Sequence, residues 1–72
     1  MTMQPDQPSR VLRVVLNRNE YKVTWDSEHV LDTIERAKDG KLLSIKNADA
    51  KRIFNNEAAL FAGRLPEGFS RP

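Results

Sequence analysis

Lys41, Lys46, Lys51 and Arg52 come closest to a chemistry that residue type and spacing alone can name. From Arg36 to Arg52 there are six basic residues against Asp39 and Asp49, whereas Met1 to Glu35 carries four basic and six acidic ones. The middle of the chain is therefore locally basic by about four charges, the kind of excess that marks a phosphate-binding face. On neighbouring strands Lys41, Lys46, Lys51 and Arg52 would form a basic ribbon facing a nucleic-acid backbone. Base stacking needs free aromatic faces as well, and Tyr21, Trp25 and Phe54 all have apolar positions of their own to fill. The same lysines serve equally well to keep a sheet edge soluble.

Catalytic and metal chemistry find less to work with. His29 is the one histidine and there is no cysteine, so a usual zinc site lacks ligands. Glu28 and Asp32, four apart, could share a hard cation, but that spacing is common on solvated helix surfaces. Ser27 and Ser44 are the candidate nucleophiles. Ser27 already has a role as a helix cap, and no Gly-x-Ser-x-Gly elbow surrounds either one. Gly40, Gly63 and Gly68 are too dispersed for a phosphate loop. The expectation is a protein that is not an enzyme, with no catalytic, cofactor or metal-binding residue assigned. Protein binding is the preferred reading: Val11 and Val15 on the second face of a hairpin, an open sheet edge, and Phe61 or Phe69 near the C-terminus would offer apolar contact to a protein partner or an identical copy.

The elements that must position these residues begin with Val11 to Trp25. A two-residue turn at Arg18-Asn19 puts Leu16 opposite Tyr21, Val14 opposite Val23 and Leu12 opposite Trp25, all on one face. A displaced loop that set Arg13 against Trp25 would scatter the apolar set, so the pattern reads as selecting both face and register. Downstream, Asp26 or Ser27 can cap a helix, Val30, Leu31, Ile34 and Ala37 recur at helical spacing, and Gly40 suits the position after its end. A helix over 27–39 is expected. Lys41 to Lys46 then alternates as a strand with Leu43 and Ile45 inward.

Residues 48–62 admit two readings. One is a helix capped by Asn47, ended by Gly63 and striped by Ala50, Ile53, Phe54, Ala58 and Phe61. The other is a second hairpin turning at Asp49-Ala50, with a further turn at Asn55-Asn56-Glu57 and a closing strand from Ala59 to Leu65. Adjacent asparagines compete for backbone groups in mid-helix and favour the second reading. The order of strand, strand and helix, then Lys41-Leu42-Leu43-Ser44-Ile45 and Lys51-Arg52-Ile53-Phe54-Asn55-Asn56 running into Leu60-Phe61-Ala62, resembles a family of small uncharacterised actinobacterial proteins. The resemblance spans positions 11 to 65 and rests on apolar positions and turns. It implies a ββαβββ fold and no activity. Asn56 stands where such proteins tend to carry proline, and Gly63 stands at an expected apolar position. Small accessory proteins of bacteriophages are similar in length and style.

The chain has 72 residues, with 12 basic and 10 acidic side chains, so its charge is nearly balanced. That length supports one small core, marginal alone, and absence of cysteine rules out disulfide staples, which makes pairing with a second copy a live expectation. The N-terminal stretch is polar and no apolar run approaches a membrane span, so a cytoplasmic location without membrane contact is expected. The expected organisation is a disordered tail over 1–9, an α+β domain over 10–65 and a flexible C-terminal tail over 66–72. The α+β domain comprises a β-hairpin, one amphipathic helix, a strand and a second hairpin, ββαβββ, or ββαβα if 48–62 is helical. Its expected core is Leu12, Val14, Leu16, Tyr21, Val23, Trp25, Val30, Leu31, Ile34, Leu43, Ile45, Ile53, Phe54 and Leu60.

Overall fold

The first two strands, β1 (Arg10–Leu16) and β2 (Asn19–Trp25), form the expected hairpin, but around a turn one residue earlier. The computed structural model describes residues 9–72, so all of the expected N-terminal tail but Ser9 lies outside the described residues. Asn17 and Arg18 occupy the turn with φ of 52° and 66°. Positive φ at both central positions is the type I′ geometry, whose twist matches that of the flanking strands. The register is Leu16 opposite Asn19, Val14 opposite Tyr21, Leu12 opposite Val23 and Arg10 opposite Trp25. Moving a two-residue turn by one position changes each pairing by two, so every side chain keeps its face. Alternation therefore selects the face and leaves the register to the turn.

The expected helix over 27–39 is instead a loop and a third strand, β3 (Leu31–Arg36), antiparallel to β2. Asp26 does accept backbone N–H groups, from Glu28 at 2.8 Å and Val30 at 3.0 Å, but this cap closes a loop. The Asp26 N–H also donates to the Val30 carbonyl at 2.8 Å, and His29 turns the chain with φ of 64°. Such a residue serves a turn as readily as a helix start. The helix-like spacing of Leu31 and Ile34 has its own cause. The register shifts between Thr24 and Trp25, so that Thr33 pairs with Thr24 but Leu31 with Trp25. The extra residue, Asp32, is a β-bulge, and it lets two residues three apart face the same core. Val30 stays exposed.

A turn with Gly40 at φ 68° leads to β4 (Lys41–Leu42), which pairs with Glu35 and Arg36 and is shorter than expected. Leu43 is half-buried against the core and Ile45 is exposed. Asn47 then caps α1 (Ala48–Asn55), its Oδ1 accepting from Asp49 N at 2.9 Å and Ala50 N at 3.1 Å. The second hairpin and the closing strand over 59–65 are thus replaced by helix as far as Phe61 and by a turn and irregular chain beyond it. The asparagines still interrupt it: Asn56 Nδ2 donates back to the Arg52 carbonyl at 2.8 Å, and α2 (Glu57–Phe61) starts afresh. Ala50, Ile53 and Leu60 face the core, whereas Phe54 is exposed.

The segment expected to be a flexible tail supplies β5 (Phe69–Ser70), paired with Val15 and Leu16. Phe69 is 8% exposed and completes the core. Gly68, at φ 90°, lies so close to Arg52 that a Cβ there would sit 2.8 Å from its Nη2. The result is a small α+β domain with one antiparallel sheet in the order β4-β3-β2-β1-β5. Both helices cover the face that carries Val14, Leu16, Tyr21, Val23, Trp25 and Ile34. Among the described residues no helix is long and apolar enough to cross a membrane.

The turn geometry makes Arg18→Gly stabilising, because it relieves a left-handed backbone that L side chains adopt at a cost. After the added unfolded-chain entropy of glycine, the expected gain is about 0.5–1 kcal/mol. A urea titration should show a higher midpoint at unchanged slope.

Candidate protein interface

The closing pair of a two-residue hairpin exchanges its hydrogen bonds, and antiparallel pairing alternates from there. The peptide groups of Leu16, Val14 and Leu12 accordingly point to β2, and those of Val15, Arg13 and Val11 point to the opposite flank. On that flank β5 meets only Val15 and Leu16. Among the described residues no strand lies beside Val11 and Arg13.

A cleft of about 290 Å³ adjoins this bare stretch, lined by Arg10, Leu12, Arg13, Gly63, Leu65 and Arg71, with Pro72 also in its wall. Arg10 is half-buried, its guanidinium carbon 5.8 Å from the ring centre of Phe61, within reach of a cation–π contact. Its Nε is buried without a hydrogen-bond partner among the described residues. Phe61 is fixed from other sides too, by the edge of Trp25 at 5.3 Å between centroids and by His29 at 5.1 Å. The Trp25 indole in turn donates to Glu57 at 2.9 Å. The chain then leaves α2 through Gly63, at φ 85°, and so reaches the cleft wall. Arg13 lies on the other face of β1 and approaches Glu20 at 3.7 Å, an exposed pair of little energetic weight.

The helical layer that forms this wall is tied to the sheet by Asp49 as well. Its carboxylate accepts from the Tyr21 hydroxyl at 2.5 Å and from Asn17 Nδ2 at 2.6 Å. Burial, the hydrogen bond to Asp49 and that residue's negative charge push the Tyr21 phenol up to about 12, with Arg36 opposing. At the far edge, the hydrogen bond from Arg36 holds the Asp39 carboxyl down at about 2.

Val11 and Val15 share the outer face of the sheet, Val11 45% exposed and Val15 half-buried between Glu20 and Ser70. Phe69, expected as a partner contact, is instead on the opposite face, buried in the core, because it packs against Leu16 as part of β5. The basic ribbon has no second hairpin to carry it: Lys41 is in β4, Lys46 in a turn, and Lys51 and Arg52 on α1. Arg52 is engaged with the C-terminal segment, donating to the Glu67 carbonyl at 2.9 Å and lying over the Phe69 ring at 5.8 Å. Ser27 and His29 sit in the loop before β3, Ser44 Oγ accepts from Lys46 N at 3.3 Å, and Asp32 occupies the bulge, away from any helix face. Among the described residues no group of three His, Cys, Asp or Glu is placed to hold a metal ion.

Reading along the chain missed Arg10, Gly63, Leu65 and Arg71. Only the free flank of the hairpin has a local signal, since Arg10 meets Phe61 across the fold and Arg71 reaches the cleft from the C-terminal segment. Comparison of the chain with protein-family models, with curated proteins and with solved structures finds no match.

The raised Tyr21 pKa sets an alkaline limit. The unfolded phenol ionises near 10 and the folded one near 12, so the contribution of this group is complete below pH 10 and is lost as pH rises through 12. Denaturation followed between pH 9 and 12 should show a steeper fall in stability for the native chain than for Tyr21→Phe. At neutral pH that variant should itself cost about 1–2 kcal/mol through the lost hydrogen bond.

Proposed function

We propose that this protein is a non-catalytic protein-interaction module that receives an extended segment of a partner as an added strand along β1. The carrying observation is the bare flank of β1 at Val11 and Arg13, whose peptide groups have no strand beside them among the described residues. An exposed row of N–H and C=O groups is a template for another strand, and main-chain hydrogen bonds supply affinity with little demand on sequence. The neighbouring cleft gives the alternate side chains of such a strand a place to go. Val11, exposed on the outer face beside the same flank, adds apolar contact. The four cations of Lys41, Lys46, Lys51 and Arg52 support a nucleic-acid reading less well, being divided between a strand, a turn and a helix, with Arg52 already engaged.

The test is Val11→Pro. Val11 directs its N–H to the open flank, so proline removes an edge donor while sparing the bonds between β1 and β2. Peptides selected by this chain from a random displayed library should perturb the amide resonances of residues 11–13. They should bind the proline variant at least about tenfold more weakly, at a melting temperature within a few degrees of the parent. Selected peptides that map elsewhere, or that bind both forms equally, would remove the support for strand addition.

A further inference from the structure

We infer that the strand received at β1 is acidic, with two carboxylates three residues apart, one for each face of the strand. The inference rests on the strand-addition reading above and concerns what the flank selects. Arg10, Arg13 and Arg71 line one cleft, and among the described residues no aspartate or glutamate side chain lines it with them. Among the described residues only two ion pairs form, Arg13 with Glu20 and Arg36 with Asp39, so neither Arg10 nor Arg71 is neutralised by a described acid. The Arg10 guanidinium is held against Phe61, and its buried Nε has no hydrogen-bond partner among the described residues. A guanidinium positioned in advance loses less freedom on binding a carboxylate, and its planar fork matches the two oxygens.

The geometry of the strand sets the spacing. Arg10 and Arg13 are an odd number of positions apart on β1 and therefore project from opposite faces of the sheet. An added strand follows the same alternation, so its carboxylates must also be an odd number apart, at i and i+3, to meet both. Leu12 and Leu65 between them offer apolar wall to the methylene stem of a glutamate.

Charge also decides between occupants. A second copy pairing antiparallel through its own β1 would bring Arg10 and Arg13 near their equivalents, an arrangement that like charges oppose. A nucleic acid would satisfy the arginines but has no N–H and C=O row to pair with the bare flank. No aromatic residue is among the described residues that line the cleft, and Phe61, behind Arg10, is already occupied by Trp25, His29 and Arg10. A peptide with carboxylates uses both the flank and the charges.

Three synthetic octapeptides of valine and threonine, identical except for glutamate, glutamine or lysine at the third and sixth positions, provide the test by NMR titration of the full chain. The glutamate peptide should bind at least about tenfold tighter than the glutamine peptide at low salt, and the lysine peptide more weakly than either. Arg10→Gln and Arg71→Gln should each erase most of that preference while leaving glutamine-peptide affinity unchanged. Arg71 is exposed beyond β5, so its variant reports even if Arg10→Gln fails to fold. Equal affinity for the glutamate and glutamine peptides overturns acidic selection and leaves strand addition standing. No perturbation of residues 11–13 by any of the three, or by library-selected peptides, removes both. A single-stranded oligonucleotide that binds more tightly than the glutamate peptide, with the same dependence on Arg10 and Arg71, reassigns the cleft to phosphate.

Discussion

One carboxylate joins the parts of this fold that are most remote in sequence. Asp49, in the first turn of α1, accepts from Asn17 in the hairpin turn and from Tyr21 in the middle of the sheet. The Asn17 contact fixes where the turn sits, the Tyr21 contact fixes where the helix sits, and both depend on the register that brings Val14 opposite Tyr21. Tyr21 is almost fully buried, so its hydroxyl needs a partner, and an anionic acceptor is a strong one. The second tie, from the Trp25 indole to Glu57, repeats the arrangement one helix later. A chain this short has little apolar area with which to hold a helical layer in place. Two buried aromatic residues that each present a polar tip to a helix carboxylate supply the missing direction.

The sheet's two edges then differ in how they are finished. On the β3 side a bulge at Asp32 and the short, lysine-bearing β4 disrupt the regular ladder. On the β1 side, among the described residues, β5 is the only strand paired with the outer flank, and it reaches no further than Val15. Phe69 accounts for the finish of the β1 side. Its burial against Leu16 anchors β5 at the turn end of β1, while Arg52 and Gly68 set the direction from which the segment arrives. The remainder of β1 is left beside Arg10, Arg71 and the α2 exit. The candidate interface is thus a consequence of where the C-terminal segment docks. It belongs to no single motif.

Several local signals in the chain were real but had more than one structural solution. Asp26 caps a loop, Gly40 turns into a strand, and the paired asparagines end one helix and begin another. Leu31 and Ile34 at three-residue spacing satisfy a helix stripe, but a bulged strand satisfies it too. A short helix is marginal by itself, so the deciding term for residues 31–36 was pairing with β2, a contact between segments that propensity does not weigh. For 48–55 the balance went the other way, because Asn47 satisfies two of the first free N–H groups and Ala50 and Ile53 find the sheet beneath them.

By itself the sequence determined which side chains of the hairpin share a face, since Leu12, Val14, Leu16, Tyr21, Val23 and Trp25 follow the two-residue period that strand geometry imposes. The small α+β class also follows from it, but the helical spacing over 27–39 belongs to a strand, and the helices fall at Ala48–Asn55 and Glu57–Phe61, where a second hairpin is the favoured reading of the chain alone. Tertiary structure decided the register, the strand at 31–36, the burial of Phe69 and the gathering of Arg10, Arg13 and Arg71 at one cleft. The physical reason is the same in each case. Alternation constrains a residue relative to its neighbours in the chain, whereas these features depend on free energies of contact between segments that only the folded chain brings together.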